Sequence, residues 1–188
     1  MTVQPAGTTV DYVVTYLEMT ARPRFPWPHL PVNPAATLFR AKEPPVWWFR
    51  ALYDAVGRDY AWEDVPELSD ETLSDWLDPD RMRLWTLMAQ GWPHGFFLLD
   101  ERAGDETDLT YFGLVPQAVG RGLGTFLLKT AILTAWEREG LARLTVNTCT
   151  LDHPRALSLY QKHGFRPVRR EEKRRTLTRD RDTARIPA

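Results

Sequence analysis

Residues 109–165 constrain the fold most, because several kinds of local order follow one another there. Leu109, Tyr111, Phe112, Leu114 and Val115 make an apolar, aromatic strand, and Val119-Gly120-Arg121-Gly122-Leu123-Gly124 is a glycine-rich turn. A long apolar helix, a second strand and the run Ala156-x-x-Leu159-Tyr160-x-x-x-Gly164-Phe165 complete the block. A strand that enters such a turn and leaves it as a helix N-terminus gathers unpaired backbone amides at one place, which suits a phosphate-bearing ligand. A strand, helix, strand unit of this size also makes a parallel pair.

The glycine spacing separates the candidate ligands. A dinucleotide fingerprint needs G-x-G-x-x-G and a phosphate loop needs G-x-x-x-x-G-K-[ST]. Here the glycines fall at 120, 122 and 124, with no Lys-Ser/Thr pair behind them. The block instead resembles the GNAT superfamily of acyl-CoA-dependent N-acetyltransferases, whose turn reads [Q/R]-x-x-G-x-[G/A] after a strand of the form L-x-V-x-P. Phe112-Gly113-Leu114-Val115-Pro116 and the turn from Val119 to Gly124 fit that frame. A later family signature, N-x-x-A-x-x-L-Y-x-x-x-G-F, is similar to the run from His153 through Ala156, Leu159 and Tyr160 to Gly164 and Phe165. Two signatures in the right order are far more specific than either alone. Val119 stands where the family has Gln or Arg, and His153 where it has Asn. His153 is therefore open to three readings: a cofactor contact, a titrating group, or a cap on the helix that Pro154 begins.

The resemblance implies an α+β fold, with a mixed, mostly antiparallel central sheet, one splayed parallel strand pair and flanking helices. It implies acetyl-CoA as co-substrate and no metal. It places the pantetheine arm against the main chain of Phe112, Leu114 and Val115, with the Leu114 amide polarising the thioester carbonyl. It places the pyrophosphate on Val119, Gly120, Arg121, Gly122, Leu123, Gly124 and Thr125, with His153 and Tyr160 also beside the cofactor. Tyr160 matches the tyrosine that protonates the departing thiol in many relatives. Asp108 stands where some relatives place a carboxylate base, with Glu106 on the same face by strand periodicity; water is the third possibility. The implied function is N-acetylation of a primary amine by direct attack in a ternary complex. The alternative is a non-catalytic acyl-CoA-binding sensor or partner-binding module.

Composition bounds the remaining choices. A chain of 188 residues supports one sizeable core, so a single domain over residues 1–188 is expected. Hydrophobic residues make up 43% and charged residues 26%, the proportions of an ordinary globular protein. No apolar window is long enough for a transmembrane helix, and Met1 to Gly7 has neither a basic segment nor an apolar run, so the cytoplasm is the expected compartment. The single cysteine, Cys149, excludes an internal disulfide and supplies no metal cluster. A net charge of −1 gives no footprint for nucleic acid. Residues 166–188 nevertheless carry nine Lys/Arg against four Asp/Glu. Such a run reads as a solvated edge strand and frayed terminus, or as a contact surface for a partner; a homodimer is compatible with either.

Along the chain, Tyr12 to Met19 reads as the first strand and the proline-rich stretch from Arg22 to Pro45 as an extended loop. Helices are expected over Val46 to Val56 and from Ser69 to Leu77. Strands at Arg83 to Ala89, His94 to Leu99 and Asp108 to Val115 should form an antiparallel meander with turns at Gly91-Trp92-Pro93 and Arg102 to Asp105. A helix from near Gly122 to before Gly140, a strand at Arg143 to Thr150, a helix from Pro154 to His163 and a last strand from Phe165 follow. Cys149, Asp152 and His153 also invite a nucleophilic reading, but they straddle a strand end and a helix start, and free cysteine is usually inert. The eight tryptophans suit an aromatic-walled pocket for a small-molecule amine, with Trp27, Trp47, Trp48, Tyr53, Tyr60, Trp62, Trp85 and Trp92 as its expected lining.

Overall fold

The computed structural model describes residues 3–187; the first two residues of the Met1 to Gly7 start and the last of the basic tail lie outside that range. Among the described residues, nine strands form two sheets. β1 (Val3–Gln4) pairs with β9 (Arg181–Asp182), and the remaining strands form a seven-stranded sheet in the order β3-β4-β5-β6-β7-β2-β8. These are β2 (Thr9–Met19), β3 (Ala36–Ala41), β4 (Met82–Ala89), β5 (Trp92–Asp100), β6 (Glu106–Leu114), β7 (Arg143–Cys149) and β8 (Arg166–Thr176). β6 and β7 are parallel, and every other pair is antiparallel. The result is the mixed α+β architecture with one parallel pair expected from the sequence.

Among the described residues, four α-helices flank the sheet: α1 (Val46–Gly57), α2 (Asp70–Trp76), α3 (Leu123–Ala135) and α4 (Ala156–Lys162). α1 buries Phe49, Leu52, Tyr53 and Val56, one stripe at helical spacing. Its last residue, Gly57, leaves room for the Trp62 ring, which a Cβ there would overlap. α2 opens on Ser69, whose Oγ accepts from the Thr72 amide at 3.1 Å. α3 is apolar nearly all round and buries Leu123, Phe126, Leu127, Leu128, Ala131, Ile132, Leu133 and Ala135 against β5 and β6. Each such leucine contributes about 1.5–3 kcal/mol through burial, so this helix anchors the turn that precedes it. It ends at Ala135, before Gly140 as expected, and an irregular stretch carries the chain to that glycine.

Three expectations need correction. The proline-rich stretch is not all loop: Ala36–Ala41 forms β3, an edge strand on β4, since prolines are absent between Pro34 and Pro44 and only one edge of the strand must pair. Trp92 and Pro93 belong to β5 and not to the turn, because Gln90 and Gly91 make the turn with φ of 53° and 84°. Pro93 is tolerated beside a register shift. The basic tail is an edge strand, as expected, but the described residues beyond that strand are not frayed. Arg181 is buried, and β9 pairs with β1.

Candidate active site

The site begins where the parallel pair opens. β6 and β7 share a ladder only over Glu106↔Arg143, Thr107↔Leu144 and Asp108↔Thr145, yet β6 continues to Leu114 and β7 to Cys149. Thr110 causes the divergence. Leu98 faces Tyr111 and Leu99 faces Leu109, so Thr110 is an extra residue in β6, and such a bulge bends and twists its strand. The Val115 amide donates to His94 O of the preceding strand at 3.0 Å. Amides alternate along a strand, so those of Leu114 and Phe112 face the opposite way, into the gap. Val115 itself is buried, with its amide committed to β5.

Beyond β6 a single turn of 3-10 helix (Pro116–Ala118) leads through Val119 to Gly120 and Gly122, whose φ values are 82° and 76°. No atom crowds a Cβ at either position, so glycine is needed there for the left-handed backbone and not for space. Gly122 caps α3, and the first amides of that helix have no intrahelical acceptor. Gly124 is helical, with an added Cβ 3.7 Å from the Leu114 side chain. Gly120, Gly122, Gly124 and Thr125 line the cleft, Arg121 is exposed on the outer side of the turn, and Leu123 is buried in the core.

The gap opens into a cleft of about 660 Å³. Its walls are Phe112 and Leu114 of β6, Tyr12 and Tyr16 of β2, Asn147 and Cys149 of β7, Tyr160 of α4, and the segment that carries Tyr60, Trp62 and Asp64. Tyr160 is buried and makes edge-to-face contacts with Phe112 and Phe165, at centroid distances of 6.0 and 5.8 Å. Burial pushes its hydroxyl far above the usual phenol range, and the carboxylates of Asp152 and Asp108 push the same way. The Tyr160 hydroxyl is thus held in its protonated form.

Asp108 sits at the apex of the opening, in the last paired position, and is not part of the cleft wall. Its Oδ2 accepts from Thr145 Oγ1 at 2.7 Å, while burial raises its carboxyl above the ordinary range against that hydrogen bond. Glu106 is engaged by Arg143, whose Nη2 lies 2.6 Å from Oε2. Two further carboxylates open directly on the cleft: Asp152, which the sequence offered only beside Cys149 and His153, and Asp64, which it did not single out. Asp152 accepts from Trp62 Nε1 at 3.2 Å and from Thr148 Oγ1 and the Cys149 amide at 2.7 Å each. Asp64 accepts from the hydroxyls of both Tyr53 and Tyr111.

Of the three readings of His153, the structure shows the cap. Its Nδ1 accepts from the Arg155 amide at 3.1 Å, a capping bond, and its ring also lines the cleft. Burial, then the charge of Arg155, lowers its pKa, which favours the neutral ring. Cys149 faces the cleft, but burial and the Asp152 carboxylate raise its thiol to about 11, and no hydrogen bond joins it to His153 among the described residues. A thiol so disposed is protonated at neutral pH and is not an activated nucleophile.

Of the expected aromatic lining, only Tyr60 and Trp62 reach this cleft. Tyr53 is buried beneath it, Trp48 and Trp92 line a separate cavity, Trp85 stacks on Phe97, and Trp27 and Trp47 are exposed. Long-range packing sorts these rings, and local sequence carries no sign of it.

The basic tail holds the Trp62 wall in place. Arg181 Nε donates to Asp59 O at 2.9 Å, Arg175 Nη1 to Ala61 O at 2.5 Å and Arg179 Nη2 to Trp62 O at 3.1 Å. Ala61 itself is left-handed, with φ of 56°, so the segment needs outside support.

Among the described residues no helix is long and apolar enough to cross a membrane, and no cluster of His, Cys, Asp or Glu has the makings of a metal site. The sequence profile of the Acetyltransferase (GNAT) family matches residues 49–165. The chain is 33% identical over 106 residues to a mycothiol acetyltransferase of Jonesia denitrificans, covering 55% of this chain and 33% of that protein. It thus spans about a third of that relative's length. A GCN5-related N-acetyltransferase from Sphaerobacter thermophilus superimposes with a TM-score of 0.64 at 18% identity, over 93% of this chain and 53% of that one. An aminoglycoside acetyltransferase from an uncultured soil metagenomic sample, in complex with sisomicin, superimposes with a TM-score of 0.55 at 12% identity, over 68% and 86%. The splayed parallel pair, the glycine turn and the profile over most of the chain agree, and the chain belongs to the GNAT acetyltransferase family.

Proposed function

We propose that this protein moves an acetyl group from acetyl-CoA to a primary amine by direct attack in a ternary complex. The observation that carries the reading is the free β6 edge, with the Phe112 and Leu114 amides facing a gap that leads straight to the glycine turn and the N-terminus of α3. An extended, amide-bearing arm can pair with such an edge, and a pyrophosphate with such a turn. Acetyl-CoA, when bound, supplies the activated thioester. The Leu114 amide donates to the thioester carbonyl oxygen as charge develops there, an effect worth about 3 kcal/mol. The Tyr160 hydroxyl protonates the departing sulfur. Asp108 accepts the amine proton through water, and its raised pKa makes it a better base than an ordinary carboxylate. Asp64 and Asp152 hold the incoming ammonium against Trp62.

The relatives include a mycothiol acetyltransferase and an aminoglycoside acetyltransferase, so a small-molecule acceptor fits best. In this reading residues 1–188 act as one cytoplasmic domain without metal or nucleic acid. The alternative, a sensor that uses its basic tail as a contact surface, fits less well because Arg175, Arg179 and Arg181 are spent on the cleft wall. Calorimetry with acetyl-CoA, run beside a thiol-release screen of primary amines, tests the proposal. Binding with CoA release on at least one amine is expected; binding with no turnover on any amine would leave the sensor.

A further inference from the structure

Asp108 stands apart from the cleft that its proposed role requires it to serve. It is half-buried at the apex of the β6–β7 opening and forms no part of the cleft wall. The next three residues of β6, Leu109, Thr110 and Tyr111, do line the cleft. Leu109 has no polar side-chain atom, and the Tyr111 hydroxyl donates to Asp64. The Thr110 hydroxyl is the polar group of this stretch that faces both ways.

The bulge explains its place. Thr110 has no residue opposite it on β5, and an extra residue of that kind re-aims its side chain. Its Oγ1 lies 3.5 Å from the Asp108 main-chain oxygen, longer than an ordinary hydroxyl hydrogen bond, so the proton is not committed there. The Asp108 carboxyl feels the same hydroxyl: burial raises its pKa, and hydrogen bonds from Thr145 and then from Thr110 oppose the rise. Two threonines thus bond one carboxyl, and they differ in one respect. Thr110 lines the cleft and Thr145 does not. A hydroxyl has one donor hydrogen and two acceptor lone pairs, so Thr110 can accept from the cleft while it donates to Asp108. The charged neighbours of the carboxyl are acids that have partners of their own. Asp100 faces it from β5 and is bound by Arg102, and Glu106 shares its strand and is bound by Arg143. Glu18 of β2 stands opposite Thr145, 3.5 Å from the same Arg143.

Resting on the acetyltransferase reading, we propose that the Thr110 hydroxyl relays the amine proton to Asp108. The ammonium N–H bond breaks with its electron pair left on nitrogen, and the proton passes to a water in the cleft. That water gives one of its protons to Thr110 Oγ1, whose own O–H bond breaks toward the Asp108 carboxylate. Water and threonine end as they began, the amine is neutral, and the carboxylate has become a carboxylic acid.

Three variants test the relay. Thr110→Val keeps the branched shape without the hydroxyl, Thr110→Ser restores the hydroxyl, and Thr145→Val removes the other hydroxyl, the one off the path. Each is read by melting temperature, by carboxyl-carbon NMR titration of Asp108, and by kcat against pH. Turnover is CoA release from acetyl-CoA with phenethylamine, or with the fastest amine of the thiol-release screen. Both valine variants should titrate Asp108 at higher pH than the parent, since each loses a bond to the charged form. Thr110→Val alone should lose kcat by about 10²-fold, the low end for a catalysed proton transfer, with acetyl-CoA affinity and melting temperature unchanged. Its kcat should cease to follow the carboxyl and climb instead toward the amine's own pKa. Thr145→Val should keep the carboxyl-dependent limb, displaced to higher pH, and Thr110→Ser should recover most of the parent's kcat. Added to Asp108→Asn, Thr110→Val should cost nothing more, because members of one relay are not additive. A Thr110→Val enzyme that keeps the parent's limb overturns the relay, as does an additive double variant or an Asp108 titration that Thr110→Val leaves in place. The two readings fail separately. A parent that releases CoA with no amine overturns the transferase reading and takes the relay with it; an active parent beside an equally active Thr110→Val enzyme overturns the relay alone.

Discussion

Tyr160 and Asp108 are acids raised by the same cause, burial, and their replacement separates chemistry from packing. Tyr160 packs through its ring against Phe112 and Phe165, so Tyr160→Phe should leave the melting temperature and acetyl-CoA affinity nearly unchanged. If the hydroxyl protonates the thiolate, kcat falls by about 10²-fold, the low end for general acid catalysis, since a thiolate is a good leaving group. A variant that keeps more than half its kcat, with chemistry limiting, would make Tyr160 a packing residue. Asp108 adds a pH signature. Its carboxyl is raised in the folded state, so the native protein binds that proton more tightly than the unfolded chain, and stability from this group declines as pH rises from the ordinary carboxylate range through the raised value. Asp108→Asn keeps an acceptor for Thr145 and removes the buried charge. At neutral pH the variant should resist urea at least as well as the parent, an advantage that disappears as pH falls below the ordinary carboxylate range. Its kcat should drop, and the acidic limb of the parent's kcat profile should follow the raised carboxyl. Lower stability at neutral pH with full activity would reduce Asp108 to a strut of the β6–β7 ladder.

The glycine turn and the arginine clasp invite tests on opposite sides of the cleft. Gly122→Val forces a β-branched residue to φ near 76°, a strain of about 1–3 kcal/mol, so lost binding there is confounded by lost stability. Gly124 is helical and a Cβ meets only Leu114 at ordinary contact distance, so Gly124→Val should fold and simply obstruct the cleft. Acetyl-CoA affinity should fall at least tenfold at an unchanged melting temperature; unchanged affinity would remove the turn from the site. Arg179→Ala removes the donor to Trp62 O and the ion pair to Asp54 while leaving the turn intact. Amine KM should rise severalfold with acetyl-CoA affinity preserved, whereas parallel losses in both would mean a general loosening of the fold. These two elements also mark what local sequence can reveal. The turn was legible because positive φ demands glycine at 120 and 122, and α1 and α3 because their apolar spacing is continuous. The clasp was not, because an arginine run looks the same whether its partners are water or the carbonyls of Asp59, Ala61 and Trp62. The Asp64 bridge between Tyr53 and Tyr111, and the Asp152 bond to Trp62, likewise join residues far apart in sequence, and β3 was hidden by the prolines around it.

The molecule as a whole is two half-sheets, β3-β4-β5-β6 and β7-β2-β8, whose direct link within the sheet is the short ladder from Glu106 to Asp108. A ligand that pairs with the free edge of β6 and reaches the N-terminus of α3 fills the space between the halves, so its binding should register as order as well as affinity. At a hundredfold excess over its dissociation constant such a ligand adds about 2.7 kcal/mol. For a protein of this size that corresponds to a rise of roughly 5–11 °C in melting temperature. Any tight ligand would do as much, so the discriminating measurement is amide hydrogen exchange resolved by residue. The Val115 amide is already bonded to His94, and that of Gly113 faces β5 by alternation; both should exchange slowly with or without acetyl-CoA. The amides of Phe112 and Leu114 face the gap and should exchange quickly in the free protein, then slow at least tenfold with acetyl-CoA, along with those of the turn from Gly120 to Gly124. A nicotinamide dinucleotide should protect neither set. Acetyl-CoA that protects the turn but not Phe112 and Leu114 would place the phosphates correctly and remove the β6 edge, with its Leu114 donor, from the chemistry.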